Sequence, residues 1–568
     1  MFSATALDPL LDLVPAGAET YFVVRAPGEF IDGFAGIVLG GKDVWSRILD
    51  ANKDPANPTA DAGMRKLLVE FDVVQAALAA SGLHLERGVM ISGKENSVTV
   101  LAADDVESVP KLMRTLSVKP DEVKTTCKLV PEAPGFVACA DDASALAAYQ
   151  PGKAAAGLRT ALGAKLESST LEASNVLASL SGEAGPAALA IRTADGVLQF
   201  DVRAPGIEPF LELDAPGPAT ALSLVKPGGS FAWGRLDTAA LAGKAAAAPA
   251  MFGTMVRALS GEVLFASIGD APGIATLIGL VDSTPIAGLI PMAALAKDSV
   301  PKVLPDGSKL ELIIGEDDDG SGGKLQTLRV KIDPVGEFAT IRDQLGLKAE
   351  VIVFVTKQWA AIGLGTGAAL IPDVARASAG EPSAALLAAL PAGLADDLRG
   401  GRVSLAMHLE LDGLHAPGVR EQLLSTIGSA VPVDAKVTAA DALSAIFGAF
   451  APLSSLSLWS SSAADGAVFH FAMRGFGDAV SAEGKAAQQA RFDVQAGHKD
   501  SAAAYGALVT AYPTSARIDA YRVRAGQFSA SSAPAAVAMV GVLAAIAIPA
   551  AAKYMALSKE SEKAISPP

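Results

Sequence analysis

Short runs of alternating apolar and polar residues recur along the chain, broken by glycine, proline or aspartate. A period of two sends successive side chains to opposite faces and predicts strands. Ala187–Arg192 and Val197–Arg203 flank Thr193-Ala194-Asp195-Gly196, where Asp-Gly suits the positive backbone angles of a tight hairpin turn. The same device joins Leu456–Ser460 through Ala464-Asp465-Gly466 to Val468–Arg474. A third hairpin is predicted from Lys309–Ile314 to Leu325–Ile332 across an acidic, glycine-rich loop. A fourth pairs Val351–Val355 with Trp359–Gly363. Ile274–Ala296 is apolar, but Asp282, Pro285 and Pro291 make a lipid-facing helix costly, so a buried strand followed by a short core helix is predicted.

A second phrase, leucine then proline and glycine then a strand, begins at Leu13, Leu224 and Leu390. Alanine-rich stretches such as Ala143–Tyr149, Gly157–Leu166 and Ala439–Phe447 lie between strands and predict covering helices. The expected fold class is therefore α+β: repeated antiparallel-sheet-plus-helix units, a helical stalk and one C-terminal transmembrane helix. The units are placed at 1–210, 220–380 and 385–478. The stalk and its linker follow at 479–532, a membrane span at 533–552 and a short polar tail at 553–568. With 568 residues, two to four domains of ordinary size are expected.

The span prediction rests on Ala533–Ala552, which holds no charged residue and ends at Lys553-Tyr554, a pair suited to the headgroup level. About 20 helical residues cross the roughly 30 Å hydrocarbon layer. The stretch Val540-Gly541-Val542-Leu543-Ala544-Ala545-Ile546-Ala547-Ile548-Pro549, continuing to Glu562, resembles the amino-terminal helix of type IV pilins over about residues 528–565. In that family the helix begins at a processed glycine-phenylalanine junction and carries a glutamate used in filament assembly. Here Phe528 matches the phenylalanine, Gln527 stands at the glycine and Ser532 at the glutamate. The resemblance thus implies a borrowed membrane helix rather than a pilin, with the lipid bilayer, a protein partner or pilin-like helices as partners. Gly541 and the neighbouring alanines permit close helix approach.

Composition narrows the function classes. The chain carries 46 basic and 61 acidic residues, a net charge of -15, and no basic stretch interleaved with aromatics, so nucleic acid is not an expected partner. Met1–Val14 lacks a basic region followed by a long apolar run, so no signal peptide is predicted and a cytoplasmic body is favoured. Cys127 and Cys139 are the only cysteines and sit on the two strands of a predicted hairpin. A disulfide, which would place the body in the periplasm, and a pair of buried free thiols both remain open.

Candidate chemistry is sparse. The histidines are His84, His408, His415, His470 and His498, none in a metal-binding pattern; His408 and His470 lie in predicted strands, where a structural role is expected. No GxSxG, Walker A or GxGxxG motif occurs in a supporting context, and no cofactor is expected. Asp317, Asp319 and Ser321, followed by Gly322, reproduce the opening ligand spacing of a calcium loop. Leu328 stands where the bidentate glutamate belongs, and a solvated hairpin loop accounts for the same residues. The expected function is a membrane-anchored, non-enzymatic binding or scaffolding protein. The alternatives are an enzyme whose site is assembled from scattered residues and a pilus-associated accessory protein.

Overall fold

The structure, a computed structural model, describes residues 8–25, 71–93, 97–117, 120–153, 155–163, 174–180, 187–194, 197–203, 216–245, 250–268, 273–296, 302–303, 307–333, 350–376, 380–411, 453–463, 466–475, 482–495, 498–515 and 518–527, with 27, 166 and 335 singly. The chain divides into two compact units. The first comprises Met1–Leu211, Arg402–Ser404 and Leu424–Gln527, the second Glu212–Gly401, Leu405–Leu423 and Phe528–Pro568.

The first unit opens with β1 (Tyr21–Val24), β2 (Val89–Ser92), β3 (Val98–Ala102), β4 (Thr126–Leu129), β5 (Phe136–Ala140), β6 (Val176–Leu180), β7 (Ala187–Ala194) and β8 (Val197–Arg203). The second contains β9 (Phe231–Arg235), β10 (Leu259–Ala266), β11 (Ile274–Leu280), β12 (Lys309–Asp318), β13 (Lys324–Asp333), β14 (Glu350–Val355), β15 (Trp359–Leu364) and the body of β16 (Val403–Glu410). The chain then returns to the first unit as β17 (Ser455–Ala463) and β18 (Gly466–Arg474).

Every described pairing is antiparallel. In the first unit the order is β4-β5-β3-β2-β1-β6-β7-β8-β18-β17. In the second it is β16-β9-β10-β11-β15-β14-β13-β12. All four predicted hairpins are present. Ile274–Leu280 is a strand followed by the short helices Thr284–Ala287 and Leu289–Ala296.

The core of the first unit lies on one face of its strands, where Tyr21, Val23, Met90, Val100 and Leu177 meet Leu10, Leu11 and Leu162 of helical segments. Tyr149 belongs to the same core and its hydroxyl donates to the Leu13 carbonyl at 2.8 Å, a bond spanning 136 residues of chain. Burial pushes its phenol pKa well above the ordinary value, with the charge of Glu132 adding to the shift.

The expected fold class is corrected in three respects. Antiparallel sheet dominates: eighteen strands carry the described architecture, and the helices beside them are short. The stalk expected at 479–532 is, over its described part, a packed cluster of the helices Ala482–Gln495, Ser501–Ala511 and Ile518–Arg524. Ala490, Ala504, Tyr505, Leu508 and Tyr521 form its core. Asp500 caps the second helix by accepting from the Ala503 amide at 2.6 Å, while Glu483 accepts the Tyr521 hydroxyl at 2.8 Å. Arg524, stacked on Tyr505, donates to the Leu453 carbonyl at 3.1 Å and ties the cluster to the start of β17. Small alanines allow these helices to approach, so a sequence that reads as polar and featureless packs through a few tyrosines and leucines.

The third correction concerns the membrane. The anchor residues Ala533, Gly541, Pro549, Ala552, Lys553 and Tyr554, with the whole pilin-like segment, lie outside the described residues. Among the described residues no helix is long and apolar enough to cross a membrane. The longest, Ala482–Gln495, has 14 residues. That length rises about 21 Å, short of the roughly 30 Å hydrocarbon layer. The single-pass, membrane-anchored location is therefore corrected: the described chain is sheet-rich and supplies no spanning helix.

Candidate functional site

Two faces depart from the ordinary rule for sheets, one in each unit. In the first unit, register defines rows of side chains across one face. Val23, Leu177, Ala190, Asp201, His470 and Trp459 form one row from β1 to β17. Its first half is ordinary core and its second half is polar. The adjacent row ends with Arg203, Val468 and Ser461, and the row on the other side passes through Arg192, Gln199, Ala472 and Ser457.

Asp201, His470 and Ser461 are joined in line. The Asp201 Oδ1 atom lies 2.6 Å from His470 Nδ1, and His470 Nε2 lies 2.7 Å from Ser461 Oγ. With the Nδ1 proton directed to the carboxylate, Nε2 is left as acceptor for the serine hydroxyl. Gln199 Nε2 donates to the same carboxylate at 2.6 Å, and Arg192 Nε sits 3.7 Å from its other oxygen. Trp459, directly opposite His470, stacks on the imidazole with centroids 4.7 Å apart and planes 14° from parallel. The carboxylate is 1% exposed, the imidazole 12% and Ser461 9%. This is a hydrogen-bonded chain running from a buried acid toward the end of the β17–β18 hairpin. Sequence motifs missed it because its residues come from two hairpins and 269 positions separate Asp201 from His470. One local signal was present: Ser455, Ser457, Trp459 and Ser461 recur with period two, marking a polar side of β17.

The second unit shows the opposite departure. Leu312, Val330, Val351, Leu364 and Ile274 form one row from β12 to β11. Ile314, Leu328, Val353, Ile362 and Thr276 form the next. On the other face of these strands Ile352, Phe354 and Ala361 are fully buried, near the helix Leu370–Arg376. Gly363 allows that contact: a Cβ there would stand 2.8 Å from a Leu370 methyl and 2.9 Å from Ile352. Along the face bearing the two apolar rows Ile274 is buried and the side chains of β12–β14 are partly buried; at the β15 end Ile362 and Leu364 are 40% and 54% exposed. Among the described residues, Ile362 and Leu364 are two of nine exposed large hydrophobic side chains.

The acidic β12–β13 loop borders this face at the end where Val281 leaves β11. Of the three calcium-loop candidates, Asp317, Asp319 and Ser321, both carboxylates accept hydrogen bonds within the hairpin, and Ser321 is one of the donors. Asp317 accepts from Thr327 Oγ1 at 2.6 Å and pairs with the Arg329 guanidinium. Burial works to raise its pKa, but the hydrogen bonds and charge of Arg329 and Thr327 outweigh it and hold the carboxyl below the ordinary range. Asp319 accepts from the hydroxyl and amide of Ser321, both at 2.7 Å, and from the Gly323 amide at 2.9 Å. Those bonds to Ser321 lead the causes that keep its pKa low. Among the described residues no group of three histidine, cysteine, aspartate or glutamate side chains is placed to hold a metal.

Elsewhere, Cys127 and Cys139 face each other across β4 and β5 and are joined by a disulfide, with Cα atoms 4.1 Å apart. Such a bond persists in an oxidising compartment, which weighs against the cytoplasmic body expected from the amino-terminal sequence. His84 is exposed beside Asp104 and Glu86, while His408 is buried against Glu410 at 3.0 Å. His498 lies near Asp493, and His415 is outside the described residues. In β10 the buried Glu262 accepts from Trp233 Nε1 and the Ala221 amide, each at 2.7 Å, and from the Thr220 hydroxyl. Those bonds make it a structural strut. No protein-family model, curated protein or solved structure matches this chain.

Proposed function

We propose that the protein is a binding or scaffolding protein whose working surface is the partly exposed apolar face of the second unit. The observation that carries this reading is the pair of apolar rows ending at the exposed Ile362 and Leu364. A sheet face of this kind, left open at one end, is stabilised when a partner removes it from water, by about 25 cal/mol for each Å² of apolar area covered.

Charge specifies the partner's chemistry. From Leu310 to Gly323 the chain carries five carboxylates and no basic residue; Asp317 pairs with Arg329 and Glu316 lies 3.9 Å from Lys324, which leaves Asp318 and Asp319 as the acidic border at the loop end of the apolar rows. The matching partner is a protein segment with an apolar stripe flanked by lysine or arginine. A second copy of this acidic chain is disfavoured, because like charges would meet at the rim.

The test uses two designed amphipathic helical peptides with the same leucine stripe, one flanked by lysines and one by glutamates, titrated calorimetrically into the full chain. The lysine peptide is expected to bind and the glutamate peptide to bind at least about tenfold more weakly. The double substitution Ile362→Asp and Leu364→Asp is expected to abolish binding while leaving the thermal midpoint unchanged. Equal binding of both peptides, or binding that survives the double substitution, would overturn the reading.

A further inference from the structure

The polar end of the first unit's sheet supports an activity that is separate from the binding surface and carried by different residues. We propose that Ser461 is an activated nucleophile, with His470 as its general base and Asp201 as the residue that positions His470. The group it would accept is an acyl or phosphonyl group from a small activated ester or fluoridate.

Three features point beyond a merely satisfied buried network. The first is order. The two bonds to the imidazole use opposite ring nitrogens, Nδ1 to the acid at 2.6 Å and Nε2 to the hydroxyl at 2.7 Å, which is the arrangement that lets one proton leave the serine as the carboxylate steadies the imidazolium. The second is the gradient of access. The acid is sealed at 1% exposure, the imidazole at 12% and Ser461 at 9% are less so, and Ser461 sits two ladder positions from the hairpin end at Ala463 and Gly466. The third is preorganisation. Trp459 stacks on the ring plane, Gln199 donates to the Asp201 Oδ1 that also meets His470, and the Arg192 charge stands 3.7 Å from Oδ2. All three supports stand on strand backbone in antiparallel register, so the hydrogen-bonded chain is assembled before any substrate arrives.

The chemistry closes without a further reactant beyond water. Ser461 Oγ attacks the carbonyl carbon of an activated ester while its proton passes to His470 Nε2. The ester C–O bond breaks, the leaving alkoxide or phenolate takes that proton, and the acyl group remains on Ser461. Water, deprotonated by His470 in turn, then cleaves the acyl-serine. With a phosphonofluoridate the serine O–P bond forms, the P–F bond breaks and hydrogen fluoride leaves, so the adduct persists.

The full chain is therefore treated with a phosphonofluoridate probe, and the labelled residue and its rate are read by peptide mass spectrometry. Ser461 is expected to be labelled about 100-fold faster in the folded protein than after heat unfolding, the contribution typical of a positioned base. Ser461→Ala is expected to remove that label, His470→Gln to slow it about 100-fold and Asp201→Asn at least about tenfold. Because the last two substitutions touch buried groups, the wild-type rate at Ser461 is also compared with the rates at the other serines of the same folded chain, over which Ser461 is expected to lead by about 100-fold. Labelling of Ser461 no faster than the other serines would overturn the proposal.

Discussion

The two units break the same rule in opposite directions. Sheets in this protein should bury apolar side chains and expose polar ones, yet the first unit buries a carboxylate, an imidazole and several serines on one face, and the second leaves leucines, isoleucines and valines partly in water on one of its own. The difference teaches where selection other than stability acts. Burying Asp201 costs desolvation that only Gln199, Arg192 and His470 offset, and leaving Ile362 and Leu364 exposed forgoes the gain from covering them. A fold optimised for stability alone would have exchanged the two faces.

Substitutions can break this comparison at graded strength. Asp201→Ala should be the most damaging change. It strips the shared acceptor from His470, Gln199 and Arg192 and should cost about 3–5 kcal/mol in urea unfolding. Opening the Cys127–Cys139 bond comes next. Its sequence separation of 12 residues defines a short closed loop. The chain-entropy model then gives a loss of about 3 kcal/mol, read as a lower thermal midpoint in reductant.

Glu262→Leu in the second unit should follow at about 2 kcal/mol, because an alkyl side chain leaves the Trp233 Nε1–H, the Ala221 amide and the Thr220 hydroxyl without their acceptor. That result would show whether the second unit tolerates loss of a buried polar strut better than the first.

Acid should act on the second unit through Asp317. Its pKa is lower folded than unfolded, so its contribution is complete above the unfolded value near 3.9 and is lost as pH falls through the folded value. Arg329→Met should therefore lower stability at neutral pH by about 1–3 kcal/mol and flatten its decline below about pH 4. The smallest effect is expected for Ile362→Asp, within about 0.5 kcal/mol by chemical denaturation. A large loss there would mean that the apolar face is core, and the contrast between the units would collapse.

The hairpins were legible because turn chemistry and period two are local. Asp195-Gly196 and Asp465-Gly466 announce reversals wherever the strands end up. The helical cluster at 482–527 was misread as a stalk because alanine hides amphipathicity, and its packing depends on Tyr505, Tyr521 and Arg524 meeting across separate helices. The hydrogen-bonded chain was legible only in fragments. His470 was noticed as a strand histidine, and the serines of β17 alternate, but nothing local says that Asp201 stands opposite His470.

By itself, then, the sequence determined the strand-forming stretches, the hairpin turns, the acidic loop and the lack of a basic stretch, since each depends on neighbours a few residues apart. Tertiary structure alone decided that β8 pairs with β18, which turns three scattered side chains into a hydrogen-bonded chain. It alone decided, too, which face of β12–β15 is covered and which stays open. Alternation places side chains on two faces equally well, and only packing against another element chooses the one that meets water.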